Sequence, residues 1–217
     1  MQEEKRVLKY FFSTEGDTER WYLEKLANLI NASSSGVYKV SFIIKCSAPK
    51  SFIKRTTILT KSTIFHFFDV ESTEPEYESR FKKVLDNLKN AEKLGKSVQY
   101  YPAYTNLTFE LWMILHKIDY NTSVSDRKSY LSGINKAFNV NYQGLKEYKE
   151  EKHFKQILNQ ISLDDVKAAV QRADKIMQEN KNRGYKPKSH LNYSWYAENP
   201  STELGSIIGK ILLECGV

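Results

Sequence analysis

The amino-acid sequence predicts an α/β fold: a mainly parallel four-stranded sheet flanked by helices, with a helical C-terminal extension. Short, nearly continuous apolar runs, such as VLKYFF at residues 7–12 and IFHFF at 64–68, are typical of strands buried on both faces. Segments with helical periodicity separate these runs, and such alternation is typical of a parallel sheet covered by helices. Beyond about residue 120 the segments are long, polar and helical in pattern. We therefore predict an α/β core at residues 1–120 and a helical extension at 121–217, packed together as one compact unit.

Each element follows from its local pattern. The predicted strands cover four segments: 7–12, 37–45, 64–68 and 97–103. Predicted helices begin at Thr18, near Phe52 and at Pro75, and further helices cover 109–115, 124–138, 143–160 and 163–182. A final helix is predicted to open at Asn199-Pro200, because an N-cap residue there precedes a proline suited to the first helical turn.

Composition and charge exclude several classes of protein but do not identify a binding partner. The 217 residues include 33 Lys and Arg against 26 Asp and Glu, a net charge of +7 that permits a phosphate-rich partner. The two cysteines, Cys46 and Cys215, are far apart, which argues against a disulfide scaffold or a thiolate zinc site. We expect a cytoplasmic protein without a membrane span, because neither a signal-peptide pattern nor a run of about 18 apolar residues occurs. Walker-type and acyl hydrolysis are disfavoured, since a glycine-rich phosphate loop and a serine elbow are both missing.

Three acidic residues follow two of the predicted strands. Glu15 comes after the first strand, and Asp69 and Glu71 follow the strand at 64–68. Open parallel sheets bind ligands outside the carboxyl ends of their strands, so these acids converge if the two strands are neighbours. Adjacent carboxylates repel one another unless a hard cation such as Mg²⁺ or Mn²⁺ neutralises them. Such an ion could activate water or stabilise an in-line displacement at a phosphodiester.

The acids at the start of the first helix also have a structural interpretation. Asp17 is a suitable N-cap residue, and Glu19 in the first turn favours the helix dipole. Helix capping is therefore the preferred role for these two residues. Glu15 precedes the cap and adjoins Gly16, whose free backbone suits a tight turn, so the metal hypothesis depends mainly on Glu15 and Asp69.

The segment FELWMILH adds two candidate residues. Glu110 projects from a largely apolar helix, either as a metal ligand or as a charge that favours the helix N-terminus. His116 lies nearly two turns later, either as a general acid or base and phosphate contact or as a charge favourable to the helix C-terminus. Both interpretations stay open, and the structural one is preferred for His116.

A basic loop follows the long polar helices. It reads KNRGYKPK and carries four cationic side chains: Lys181, Arg183, Lys186 and Lys188. With Tyr185 among them, the loop could contact phosphates and stack on a base, so we predict a nucleic-acid-binding segment. A solvated loop is the alternative.

Four separated motifs resemble those of the RloB family, whose fold is Toprim-like. The motifs occur in order along the chain: Glu15-Gly16-Asp17-Thr18-Glu19, Asp69-Val70-Glu71, Asn106-Leu107-Thr108-Phe109-Glu110-Leu111-Trp112 with His116, and Asn199-Pro200-Ser201-Thr202. The resemblance covers nearly the whole chain and implies a Toprim-type α/β core with a helical extension. It also implies a Mg²⁺-dependent, nuclease-like role in bacterial defence against phage, because RloB-like genes accompany restriction and abortive-infection systems.

The resemblance also implies roles for individual residues. Glu15 would be the acid after the first strand, and Asp69 with Glu71 would be the metal-binding pair. Two positions depart from the family pattern: Glu71 replaces an aspartate, which bears on the metal geometry, and Leu107 replaces a proline, which bears on how the next helix starts.

The leading hypothesis is a metal-dependent nuclease that acts on DNA or RNA. Glu15, Asp69 and Glu71 would hold one or two Mg²⁺ or Mn²⁺ ions. Glu110 would complete or orient the site, and His116 or a metal-bound water would transfer protons. The alternatives are a non-catalytic nucleic-acid-binding or effector-assembly module, and a phosphotransfer or nucleotide-processing enzyme. The sequence leaves open the choice between DNA and RNA, the oligomeric state, and a partner such as an ATPase of the defence system.

Overall fold

A computed structural model describes residues 5–72 and 74–217. Its central sheet has five strands: β1 Val7–Thr14, β2 Lys39–Cys46, β3 Ser62–Asp69, β4 Val98–Asn106 and β7 Ser201–Thr202. The strand order is β2-β1-β3-β4-β7; the first four strands are parallel, and β7 pairs with β4 in the antiparallel sense. A separate hairpin consists of β5 Lys188–His190 and β6 Tyr193–Trp195. The predicted α/β fold with a mainly parallel sheet is therefore confirmed.

Helices make up most of the remaining structure. Within the described residues there are nine α-helices: α1 Asp17–Ala32, α2 Pro49–Arg55, α3 Pro75–Glu92, α4 Glu110–Leu115, α5 Tyr130–Phe138, α6 Leu145–Tyr148, α7 Glu151–Asn159, α8 Leu163–Asn182 and α9 Leu204–Cys215. A short 3₁₀ turn at Arg127–Ser129 precedes α5. Over the same part of the chain, every helix is too short or too polar to cross a membrane.

Two hydrophobic cores cover the two faces of the sheet. Phe12 of β1 packs in the core that includes α1, α4, α8 and α9. Phe11, the preceding residue, points to the opposite face and packs in the core that includes α2, α3 and the β5–β6 hairpin. Because helices cover both faces, consecutive residues of the central strands are apolar and buried on opposite sides, as at Phe11-Phe12 and Phe67-Phe68.

The chain changes direction across the sheet at β1 and β3. From β1 it passes through α1 to β2 on one side, and then returns through α2 to β3 on the other side of β1. The carboxyl ends of β1 and β3 therefore flank a topological switch point. Open α/β sheets bind their ligands in the crevice at such a point.

The C-terminal part differs from the prediction in three ways. The sheet has five strands rather than four, because Ser201–Thr202 pairs with the end of β4. Helix α9 begins at Leu204 and not at Asn199-Pro200, and the β5–β6 hairpin lies where no strand was predicted. Strands of two or three residues are too short to show an alternating pattern, so their sequence carries no local signal. Since β7 and the hairpin join the core layers, the division at residue 120 stays a prediction.

Candidate functional site

The predicted acidic residues lie at the carboxyl edge of the sheet. Strands β1 and β3 are hydrogen-bonded neighbours, with Thr14 opposite Phe67. Glu15 follows β1 directly and Asp69 is the last residue of β3, so the fold brings both to the same edge. The convergence of these acids required β1 and β3 to be adjacent, and they are.

The hydroxyl group of Thr108 joins two carboxylates at this edge. Its Oγ1 lies 3.2 Å from Asp69 Oδ2 and is also hydrogen-bonded to Glu110 Oε2. Glu110 is the first residue of α4, and 0% of its surface is exposed. A hydroxyl has one proton and can donate to only one ionised carboxylate at a time. The arrangement therefore favours a proton shared with the carboxylates or a cation close to them.

Burial and like charges raise the pKa values of three acids at this edge: Glu15, Glu19 and Asp69. Burial is the main cause for Asp69, whose pKa lies well above its ordinary value, and the charges of Glu19 and Glu110 raise it further. Burial also raises the pKa of Glu19. Although Glu15 lies at the exposed rim, the burial of its carboxyl group and the charges of Glu19 and Glu71 raise its pKa to about 7. A bound cation would lower all three pKa values, because it stabilises the ionised forms.

Lys149 brings a positive charge into the acidic cluster. It follows helix α6, and its Nζ lies 2.8 Å from Glu110 Oε1. Burial opposes its charged form, but the carboxylates of Glu110 and Asp69 raise the pKa of Lys149 above its ordinary value. Lys149 thus neutralises part of the negative charge at the site. Lys149 has no local signal in the sequence, because it is one of several lysines in a polar helical segment.

Glu19 is the second residue whose place in the site was not predicted. Helix α1 has Gly16 as its N-cap residue and no side-chain cap, so the prediction that Asp17 caps the helix is wrong. Only 7% of Glu19 is exposed, and its carboxylate accepts a hydrogen bond of 3.0 Å from the Thr18 hydroxyl. The carboxylate lies against Gly16, where a Cβ atom would come within 2.6 Å of Glu19 Oε2. A glycine three residues before a glutamate was the available signal, since it leaves room for that carboxylate.

Glu71 lies at the exposed side of the cluster. Its backbone has a positive φ of 62°, which is uncommon for a residue other than glycine, and its N–H donates to the Leu107 carbonyl at 2.8 Å. Arg127 Nη1 lies 3.4 Å from Glu71 Oε1. Glu71 is therefore held by its backbone, while its carboxylate reaches a cation on the protein surface.

His116 lies in the core, where 1% of its surface is exposed. Its Nδ1 donates to the Trp112 carbonyl at 2.9 Å, so Nε2 of the neutral ring accepts a hydrogen bond from the Tyr22 hydroxyl at 3.2 Å. Burial lowers the pKa of His116 to about 4. Glu110 lies at the other end of α4, about 9 Å away along the helix axis. These contacts suit a residue that positions α4, and proton transfer by His116 stays a prediction.

The four predicted nucleic-acid-binding cations are exposed, but two of them have acidic neighbours. Lys188 lies in β5, and its Nζ contacts Glu78 of α3. Arg183 follows α8 and lies 3.7 Å from Glu179. Lys181 and Lys186 are exposed on either side of Arg183. The segment is therefore exposed, its positive charge is partly neutralised, and its binding to nucleic acid stays a prediction.

The acidic cluster consists of Glu15, Glu19, Asp69, Glu71 and Glu110. Its side chains are of the right type to bind a hard divalent cation, but their positions do not form a complete binding site. Their carboxylate oxygens are the donors that Mg²⁺ and Mn²⁺ prefer. In residues 5–72 and 74–217, however, no three His, Cys, Asp or Glu side chains are positioned to hold one ion. Some side chains would therefore have to move on binding, and the Lys149–Glu110 contact is one that an ion would compete with.

The fold and the cluster together define an α/β protein with an acidic site at the switch point of a mainly parallel sheet. The chain belongs to the RloB-like protein family, whose model matches residues 10–211. This range includes Glu15, Asp69, Glu110 and Lys149. No curated protein and no solved structure matches the chain.

Proposed function

We propose that this chain is a Mg²⁺- or Mn²⁺-dependent nuclease with a Toprim-like core, which cleaves phosphodiesters of DNA or RNA in the bacterial cytoplasm during defence against phage. The observation that carries the proposal is the acidic cluster at the switch point, where Asp69 and Glu110 contact one hydroxyl group. Acids with perturbed pKa values are concentrated at functional sites, because catalysis requires groups whose pKa values burial and neighbouring charges have shifted. The order of the strands and the acids after β1 and β3 support the Toprim-like assignment.

Each residue of the cluster has a role in this proposal. Glu15, Asp69 and Glu71 would hold the ion, and Glu110 would complete or orient the site. When bound, the ion would polarise the phosphodiester and activate water. Thr108 keeps the Asp69 and Glu110 carboxylates close together, so these groups are positioned before substrate arrives. The exposed basic residues would hold the nucleic-acid backbone: Lys181, Arg183, Lys186 and Lys188.

The decisive experiment is cleavage of a labelled polynucleotide by the Asp69→Ala variant. We expect Mg²⁺-dependent cleavage to be abolished while the fold survives, because the substitution removes a ligand and also relieves repulsion between carboxylates. The exposed Asp164→Ala variant is the matched control and should cleave normally. Thermal unfolding of both variants checks the fold. Full activity of Asp69→Ala would exclude the proposed site.

A non-catalytic nucleic-acid-binding or effector-assembly module is the second candidate. The Lys149–Glu110 ion pair favours it, because a side chain of the protein already supplies a cation to the acids. Calorimetry with Mn²⁺ separates the two candidates. Binding that is lost in Asp69→Ala supports the nuclease, whereas absence of binding together with salt-sensitive affinity for oligonucleotides supports the module.

A further inference from the structure

A cavity of about 480 Å³ lies beside the acidic cluster, at the carboxyl ends of β1 and β2. Its wall includes Glu15, Ser47, Pro49, His66, Val84 and Asn87. It therefore lies on the α2–α3 side of the switch point, and Glu15 belongs to both the cavity and the cluster. Its volume is within the range of about 300–1,000 Å³ that is common for small-molecule sites. The larger cavity of about 830 Å³ involves the amino ends of β1, β3 and β4, and no residue of the acidic cluster lines it.

His66 supplies a buried polar group to this cavity. Its surface is 2% exposed, and its Nδ1 is hydrogen-bonded to Ser13 Oγ at 2.8 Å. The ring lines the cavity, and its contact with Ser13 uses only one of its two nitrogens, Nδ1. Burial lowers the pKa of His66 to about 4, so the ring is neutral at physiological pH. A neutral imidazole that faces a cavity offers a single directed hydrogen bond to an uncharged ligand.

The rest of the wall is also suited to an uncharged, partly apolar group. Pro49 and Val84 supply apolar surface, whereas Ser47 and Asn87 carry a hydroxyl and an amide. The residues lining the cavity include no lysine or arginine, so the wall lacks the cations that bind phosphate. A planar heterocycle with hydrogen-bonding edges matches this combination of apolar and neutral polar groups.

We propose that the cavity binds one unpaired nucleobase of the strand whose phosphodiester lies at the acidic cluster. The inference rests on the proposed function and specifies its substrate: a single strand, or a duplex from which a base can be extruded. In an intact duplex the base edges are paired and stacked, so the base cannot enter a pocket without an unstacking cost. Glu15, which belongs to both the cavity wall and the acidic cluster, would lie between the bound base and the site of cleavage.

Fluorescence anisotropy in EDTA tests base binding separately from metal-dependent cleavage. The probes are a labelled mixed-sequence single strand, its duplex, and the same single strand with abasic residues, each as DNA and as RNA. We expect the wild-type protein to bind the complete single strand of at least one chemistry about tenfold more tightly than the abasic strand or the duplex. Asn87→Trp, which places an indole at the cavity, should remove this preference. Asn90→Trp, on an exposed turn of the same helix, should keep it.

The outcomes distinguish failure of the base-binding proposal from failure of the nuclease proposal. Equal affinity for complete and abasic strands, or no binding of either, would overturn the pocket even if the protein cleaves nucleic acid. A preference that Asn87→Trp retains would also overturn it. A preference lost in Asn87→Trp alone would support it, even if Asp69→Ala still cleaves and the proposed metal site fails. Thermal unfolding of both tryptophan variants checks that these exposed positions tolerate the change.

Discussion

At the scale of single residues, Gly16 determines where the Glu19 carboxylate can lie. The backbone of Gly16 is extended, with φ −128° and ψ 169°, which alanine adopts without strain. Its constraint is spatial, because an added Cβ would lie 2.6 Å from Glu19 Oε2. Glu19 has little room to move away, since it is almost fully buried. The glycine is therefore required by the acidic cluster rather than by the turn.

We expect Gly16→Ala to destabilise the protein by about 1 kcal/mol through overpacking against Glu19. In a Glu19→Ala background the same substitution should cost less, because the opposing carboxylate is gone and only the preference of the N-cap position for glycine over alanine remains. Urea unfolding of the two single variants and the double variant measures this coupling free energy. The same loss in both backgrounds would show that the backbone, and not Glu19, requires glycine at position 16.

At the residue scale, chain position alone was sufficient to place two of the predicted acids, whose roles stay predictions. Glu15 follows β1 and Asp69 ends β3, and because these strands are neighbours both residues lie at one edge. Glu19 and Lys149 could not be assigned in this way. First-turn glutamates and lysines on polar helices are usually solvated, and only tertiary packing brings Lys149 within 2.8 Å of Glu110.

At the scale of elements, Asn106 connects the end of β4 to the segment before β7. Its side-chain amide donates towards the carbonyl groups of three consecutive residues, Tyr196, Ala197 and Glu198, at 2.8 to 3.2 Å. Beside it, the hydroxyl groups of Thr105 and Thr202 lie 3.1 Å apart across the β4–β7 pair. These contacts hold the fifth strand in register. The first residue of the Asn106–Trp112 motif therefore has a structural role.

Replacing Asn106 by alanine should destabilise the protein by about 1–3 kcal/mol, because three partly buried carbonyl groups lose their donor. The exposed Asn90→Ala variant is the matched control and should change stability by less than about 0.5 kcal/mol. Urea unfolding measures both free energies. If the two variants have the same stability, the amide does not hold this segment.

Elements were predictable in proportion to their length and burial. The four long strands of the sheet contain apolar segments of five to nine residues, helices such as α1 and α3 have longer periodic patterns, and the structure has all of these elements. Strand β7 is defined by two residues and by its long-range pairing with β4. An N-cap residue followed by proline predicted a helix at Asn199-Pro200. Because Ser201 and Thr202 instead pair with β4, helix α9 begins only at Leu204.

At the scale of the whole molecule, the acidic cluster joins distant parts of the chain. Glu15 and Asp69 come from the parallel sheet and Glu110 from the helix after β4, whereas Lys149 comes from the region predicted as a helical extension. The parallel topology was sufficient to predict that the first two converge. The position of Lys149 depends on how the later helices pack on the sheet, which local patterns do not determine.

Two groups of shifted pKa values act on the stability of the whole molecule in opposite directions. The pKa of Glu15 is raised from 4.5 to about 7, so its contribution to stability is complete below about pH 4.5 and is lost as pH rises to 7. The pKa values of His66 and His116 are lowered from 6.5 to about 4. Their contributions are complete above pH 6.5 and are lost as pH falls towards 4. A pH profile of the wild-type protein alone therefore cannot separate the two groups.

Glu15→Gln separates them, because it removes the carboxyl group and leaves both histidines. Between pH 5 and pH 7 the wild-type protein loses the Glu15 contribution, whereas the variant has none to lose. Relative to wild type, the free energy of unfolding of the variant should therefore increase by about 1 kcal/mol over this interval, a value reduced for the solvent exposure of Glu15. Urea unfolding in EDTA at both pH values measures the difference, with the exposed Glu24→Gln as control. A difference that is the same at both pH values would show that neither burial nor like charge perturbs Glu15.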